Sequence, residues 1–159
     1  MILYSDGACS GNPGKGAYAS ILREKDKEIE WEHVKAFEHT TNNRMELMGV
    51  IEPIEALEDT TKIDIYSDSQ YVVKAINEGW LKNWIKKGWK KSNNKPVLNI
   101  DLWKRMITIL KKHELSFHWV KGHSNNIYNN KCDKLAVNAY GGNVFVKDKE
   151  YEEIIRKDQ

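Results

Sequence analysis

The chain opens with two short, mostly apolar runs, Ile2 to Ala8 and Ala17 to Arg23, separated by Gly11, Pro13, Gly14 and Gly16. Runs of this length bounded by turn residues predict two buried strands. From Ile29 to Phe37 the order changes to near alternation, with Ile29, Trp31 and His33 set against Glu30, Glu32 and Lys35. That is the pattern of a strand with one wet face, and it favours antiparallel pairing. At Asn42 the period becomes helical: Met45, Met48 and Ile51 recur at three-residue spacing, predicting a helix from Asn42 to about Leu57 with a bend near Pro53.

The second half alternates. Ile63, Ile65 and Tyr66 predict a short strand running into a helical SDSQYVVKAI. A helix near Asp101 to His113, a strand from Leu115 to Val120 and a helix from Asn129 to Tyr140 follow. Alternating strands and helices predict parallel pairing through crossover connections, so the chain reads as an α/β fold with a mixed sheet and flanking helices. Residues 1–142 read as one domain, and residues 143–159 as a charged tail able to add a short helix.

Composition adds limits. With 159 residues and 40% hydrophobic content the chain can bury one core. No stretch reaches the roughly 20 apolar residues of a membrane span, and the opening carries no basic leader, so a cytoplasmic location is expected. Cys9 and Cys132 form no CxxC pair, which points to two reduced thiols rather than a disulfide or zinc site. The net charge of +2 conceals an asymmetry. Residues 79–100 hold Lys82, Lys86, Lys87, Lys90, Lys91 and Lys95 with no acid, interleaved with Trp80, Trp84 and Trp89. A basic, aromatic protrusion of this kind fits a polyanion.

Four acids occupy unusual places: Asp6 within the first strand, Glu46 in the first turns of the first helix, Asp68 at a strand end and Asp133 early in the last helix. A carboxylate in a central strand is costly unless paired or bound to a cation. A carboxylate cluster without a His or Cys shell suits magnesium or manganese better than zinc. Each acid also has a plainer reading: Asp6 in a turn, Asp68 as a helix cap, Glu46 and Asp133 as solvated helix charges.

Longer strings narrow the choice. DGACSGNPGKG at 6–16, TTNNRMELM at 40–48, SDSQYV at 67–72, WVKGH at 119–123 and CDKLA at 132–136 resemble, in order, the blocks of the type 1 ribonuclease H family. The resemblance implies a ribonuclease H-like fold, a five-stranded sheet of three antiparallel strands followed by two parallel ones. It implies an endoribonuclease cutting the RNA strand of RNA/DNA hybrids and leaving 5'-phosphates, acting as a monomer without an obligate protein partner. It further implies that Asp6, Glu46, Asp68 and Asp133 hold two magnesium ions, with manganese as a substitute. Asp6 matches the bridging ligand, Asp133 the ion beside the attacking water, and Glu46 and Asp68 the ion beside the leaving oxygen. His123 matches a mobile-loop histidine that assists proton transfer or product departure. Cys9, Asn12, Asn42, Asn43 and Gln70 match minor-groove contacts that sense the 2'-hydroxyl, and Thr41 a contact to a DNA phosphate. Trp84, Lys86, Lys87 and Trp89 match the protrusion's substrate contacts. As structural residues alone, Asn12 shapes a turn, Asn42 or Asn43 caps a helix, and Trp80 belongs to the core.

Two departures stand out: Asn125 replaces the glycine common two residues after the histidine, and Pro53 interrupts the first helix. Competing classes are a non-enzymatic hybrid-binding module, a junction resolvase or strand-transfer enzyme sharing the carboxylates, and an ATP-dependent phosphotransferase. The last lacks a GK[ST] motif.

Overall fold

The computed structural model describes residues 1–122 and 126–157. The five strands are β1 (Ile2–Ser10), β2 (Gly14–Arg23), β3 (Glu30–Thr40), β4 (Lys62–Ser67) and β5 (Glu114–Trp119). The helices among the described residues are α1 (Asn42–Glu55), α2 (Gln70–Asn77), α3 (Trp80–Lys86), α4 (Ile100–Lys112), α5 (Ile127–Tyr140) and α6 (Lys149–Lys157). The sheet order is β3-β2-β1-β4-β5, with β1, β2 and β3 antiparallel and β1, β4 and β5 parallel. Three antiparallel strands joined to two parallel ones are what the sequence predicts.

β1 lies at the centre and alternates between two cores. Leu3 joins the core under α1, α2 and α4, with Met45, Ile51, Val72, Leu102 and Trp103. Tyr4 faces the other way, toward Ala19, Ile21 and the α5 residues Cys132 and Ala136. The predicted one-sided wetting of β3 is not realised over its first half. It is the edge strand, and residues 30–35 remain exposed or half-exposed throughout.

α1 crosses β1 and β2 at very short range, and two glycines permit it. A Cβ on Gly7 would meet the backbone nitrogen of Glu46 at 2.6 Å, and one on Gly49 would strike the Ser5 hydroxyl. The helix runs through Pro53, in its last turn, to Glu55. Proline has no N–H for the Gly49 carbonyl four residues back; Ser20 Oγ donates to that carbonyl instead. Thr41 is the N-cap, its side chain accepting from Arg44 N at 3.3 Å, so neither Asn42 nor Asn43 has that task.

The predicted tail is docked. Val146 bridges Phe37 of β3 in parallel, and Asp148, 1% exposed, accepts hydrogen bonds from Thr40 Oγ1 and from Nε and Nη2 of Arg44. No helix among the described residues is long and apolar enough to cross a membrane.

Candidate active site

The four acids arrive from four elements. Asp6 sits in β1 and Glu46 in the second turn of α1, which the Gly7 contact draws against β1. Asp68 follows β4 in a tightly held turn. Ser67 Oγ accepts from Ser69 N at 3.1 Å, and Ser69, not Asp68, caps α2 by accepting from Val72 N. Trp119 Nε1 donates to the Asp68 carbonyl at 3.1 Å, and a Cβ on Gly122 would come within 3.0 Å of Asp68 Oδ2. Asp133 stands on α5, whose N-cap Asn126 accepts from Tyr128 N and Asn129 N.

Asp6, Glu46 and Asp68 each present a carboxylate oxygen, all within 4.8 Å of one another. Asp133 lines the same cleft with Asp6, Asp68, Lys121, Gly122, Asn129 and Asn130, and it is close enough to hydrogen-bond with Asp6. Asp6 is 7% exposed and Glu46 6%. Burial, then the charges of Asp68 and Asp133, push the Asp6 carboxyl up to about 8; the Gly7 N–H donated to it at 2.9 Å opposes this. Burial, then Asp6 and Asp68, likewise push Glu46 well above the usual carboxylate range. A group of acids so placed repels itself unless a cation enters.

Two buried oxygens, Glu46 Oε2 and Asn129 Oδ1, have no hydrogen-bond partner among the described residues. Asn129 Nδ2 donates to the Tyr66 carbonyl at 3.2 Å, which fixes the amide with its oxygen free. The carboxylates and the Asn129 amide oxygen offer oxygen ligands, which fit a hard divalent ion. The motif strings supplied the acids, but Asn129 carried no assigned role in the sequence. Its signal was its place one helical turn before Asp133.

The remaining candidates divide. Asn12 Oδ1 accepts from the backbone N of Asn42 at 3.1 Å, so the turn after β1 is tied to the start of α1. Asn12, Thr41 and Asn43 share one groove. Cys9 is half-buried, and burial together with Glu46 raises its thiol to about 11, so it is no nucleophile. Gln70 is exposed at the start of α2. His123 lies outside the described residues.

In the protrusion, Trp84 packs edge-on against the fully buried Trp103, with ring centroids 5.5 Å apart. Trp89, at φ 65°, reverses the chain and is partly buried against the core. Trp80 is not a core residue: it is 36% exposed and lines a groove of about 260 Å³ with Asn83, Trp84, Lys87, Lys90, Lys91 and Ser92. Lys86 and Trp89 do not line it. Charge and aromatic faces together are what a nucleic-acid strand needs.

The RNase H family profile matches residues 1–140. Ribonuclease H of Chlorobaculum parvum is 50% identical over 137 residues, covering 86% of this chain and 92% of that protein. Ribonuclease H of Pseudoalteromonas atlantica is 45% identical over 152 residues, covering 94% and 96%. Among solved structures, LC9-RNase H1, a type 1 RNase H with the type 2 active-site motif, superposes with a TM-score of 0.75 at 26% identity, over 90% of this chain and 72% of its own. RNase H1 of the halophilic archaeon Halobacterium salinarum gives 0.63 at 26%, over 88% and 96%. LC11-RNase H1, solved in complex with an RNA/DNA hybrid, gives 0.64 at 19% identity over 88% and 96%, a likeness of fold.

Proposed function

The chain belongs to the ribonuclease H family, and on that premise we propose that it is a metal-dependent endoribonuclease hydrolysing the RNA strand of RNA/DNA hybrids to 5'-phosphate products. The observation that carries the metal dependence is the unpartnered Glu46 Oε2, buried beside Asp6 and Asp68. Asp6, Glu46, Asp68 and Asp133 would hold two divalent ions, magnesium ordinarily and manganese as a substitute. Ions held there would supply stabilisation of charge on the attacking and departing oxygens of an in-line displacement at phosphorus. Water adds to phosphorus, the bond to the ribose 3'-oxygen breaks, and that oxygen leaves with a proton.

The chain's own residues supply placement. The Gly7 N–H orients the Asp6 carboxylate, and the Ser67–Ser69 turn with Trp119 holds Asp68 in register. Asn12, Thr41 and Asn43 offer short polar groups where a strand's backbone can lie. The Trp80 and Trp84 groove with its lysines holds the strand beyond. His123 follows Gly122 in sequence, where a Cβ would come within 3.0 Å of Asp68 Oδ2; in this reading it receives or returns the proton.

The test is cleavage of labelled RNA/DNA hybrid, single-stranded RNA and duplex DNA by the protein and by Asp6→Asn, in magnesium or in chelator. Internal cutting of hybrid RNA alone, lost in chelator and in the variant, is expected. Hybrid bound tightly yet left intact in both magnesium and manganese would make the protein a binding module and end the proposal.

A further inference from the structure

One basic side chain shares the acid cleft. Lys121 lines it together with Asp6, Asp68, Asp133, Gly122, Asn129 and Asn130, around a space of about 20 Å³. That is room for about one water or one small ion. The place of Lys121 is set by the residues on either side of it. Val120 N donates to the Ser67 carbonyl at 3.0 Å, and Trp119 Nε1 donates to the Asp68 carbonyl at 3.1 Å. On the other side, a Cβ on Gly122 would come within 3.0 Å of Asp68 Oδ2. The chain before and after Lys121 is therefore laid against the end of β4, and the residue between is held at the cleft.

The ammonium is not committed to the fold. Lys121 is exposed, and none of the ion pairs among the described residues includes it. Arg44 is the contrary case, with its side chain 0% exposed and paired to both Asp101 and Asp148 at 2.7 Å. A lysine beside a group of carboxylates lowers the negative potential that draws in a cation, and it repels a divalent ion twice as strongly as a monovalent one. Its position at the solvent edge lets water and salt screen it, so the effect is modest: about threefold in the dissociation constant of a divalent ion at low ionic strength.

We propose that Lys121 is an electrostatic brake on the metal site: its ammonium weakens divalent-ion binding in the substrate-free protein and so sets the free-ion concentration at which the carboxylates fill. The proposal rests on the metal reading above and adds to it a residue that tunes the site from outside the ligand set.

The experiment uses the full-length protein, Lys121→Met and Lys121→Arg. Methionine keeps the length of the side chain, removes the charge and offers no oxygen to a metal; arginine keeps the charge. Magnesium binding is measured by isothermal titration calorimetry without nucleic acid, at low salt and at about 1 M monovalent salt, where charges are screened beyond about 3 Å. Unfolding in chelator is followed for all three proteins. Lys121→Met is expected to bind magnesium about threefold more tightly than the wild type at low salt, with the gap closing at high salt, while Lys121→Arg keeps the wild-type constant. If Lys121→Met binds magnesium with the wild-type constant, or if its gain persists undiminished at high salt, the charge sets nothing and the proposal falls. If Lys121→Arg departs from the wild type as far as Lys121→Met does, the role is one of shape and the proposal also falls. A change confined to the unfolding midpoint in chelator would make Lys121 merely structural. Failure of all three proteins to bind magnesium would refute the metal reading itself, an outcome distinct from a charge-independent constant.

Discussion

Two groups of carboxylates meet the first turns of α1, two residues apart, with Asp148, Asp6 and Glu46 buried and the others half-buried. Asp101 and Asp148 surround Arg44; Asp6 and Asp68 lie beside Glu46, with Asp133 beside Asp6. In the first group, burial pushes the Asp101 carboxyl up, but the hydrogen bonds and charge of Arg44 outweigh it and hold it below its ordinary range. In the second, burial and the neighbouring carboxylates dominate, and Asp6 and Glu46 are both raised. The difference teaches how to read buried acids. Where an arginine answers the acids the cluster is structural, and where acid raises acid the cluster is a candidate cation site.

The largest effect should separate chemistry from stability. Asp6→Asn is expected to reduce hybrid cleavage on the order of 10³-fold, as loss of a metal ligand at the reacting phosphate would, while removing a repelled charge leaves the metal-free fold as stable or more so. Cleavage rates and urea unfolding of the same preparation check both halves. The mirror experiment is Arg44→Met. Stripping the cation from the satisfied group strands two carboxylates and should cost about 3 to 5 kcal/mol of folding stability by denaturant titration. A loss under 1 kcal/mol would show that the network is not what anchors the C-terminal segment.

A smaller effect concerns the distant lysines. Replacing Lys87, Lys90 and Lys91 with Gln should weaken hybrid binding at low salt and lower the slope of log affinity against log salt by roughly 0.9 per lost phosphate contact. An unchanged slope would remove the protrusion from the binding surface. Smallest are the pH effects, which should carry opposite signs. Asp101 is depressed in the fold, so its contribution is present above the unfolded carboxylate range and lost as pH falls through the folded value. Asp6 is raised, so in chelator its contribution is complete at acid pH and lost as pH climbs from the ordinary carboxylate value toward about 8. Unfolding at several pH values in chelator, with wild type compared against Asp101→Asn and Asp6→Asn, separates the two.

The sheet was legible because its strands carry clean signals. Glycines and prolines bound the first two, and the change of period at Asn42 divides the antiparallel half from the parallel half. The acids were legible only through their neighbouring strings, since Asp6, Glu46, Asp68 and Asp133 come from four places whose convergence is set by tertiary packing, for Glu46 at Gly7 and Gly49. The Arg44 lock went unread because its partner Asp148 sits among lysines and glutamates that look solvated. The clue was on α1: Arg44 shares a helical face with Met48 and Ile51, so a cation was being carried into the core and required an acid there. In the protrusion, Lys87, Lys90 and Lys91 line the groove and Lys86 does not, a choice that charge counting cannot make.

The central claim is that the Glu46 group awaits a divalent cation, and thermal unfolding in magnesium and in chelator tests it most directly. Magnesium at about ten times its dissociation constant should raise the wild-type midpoint by about 3 °C. It should scarcely move Asp6→Asn, which in chelator should unfold no earlier than the wild type. Equal shifts in both proteins, or a wild type that gains nothing from magnesium, would contradict the account.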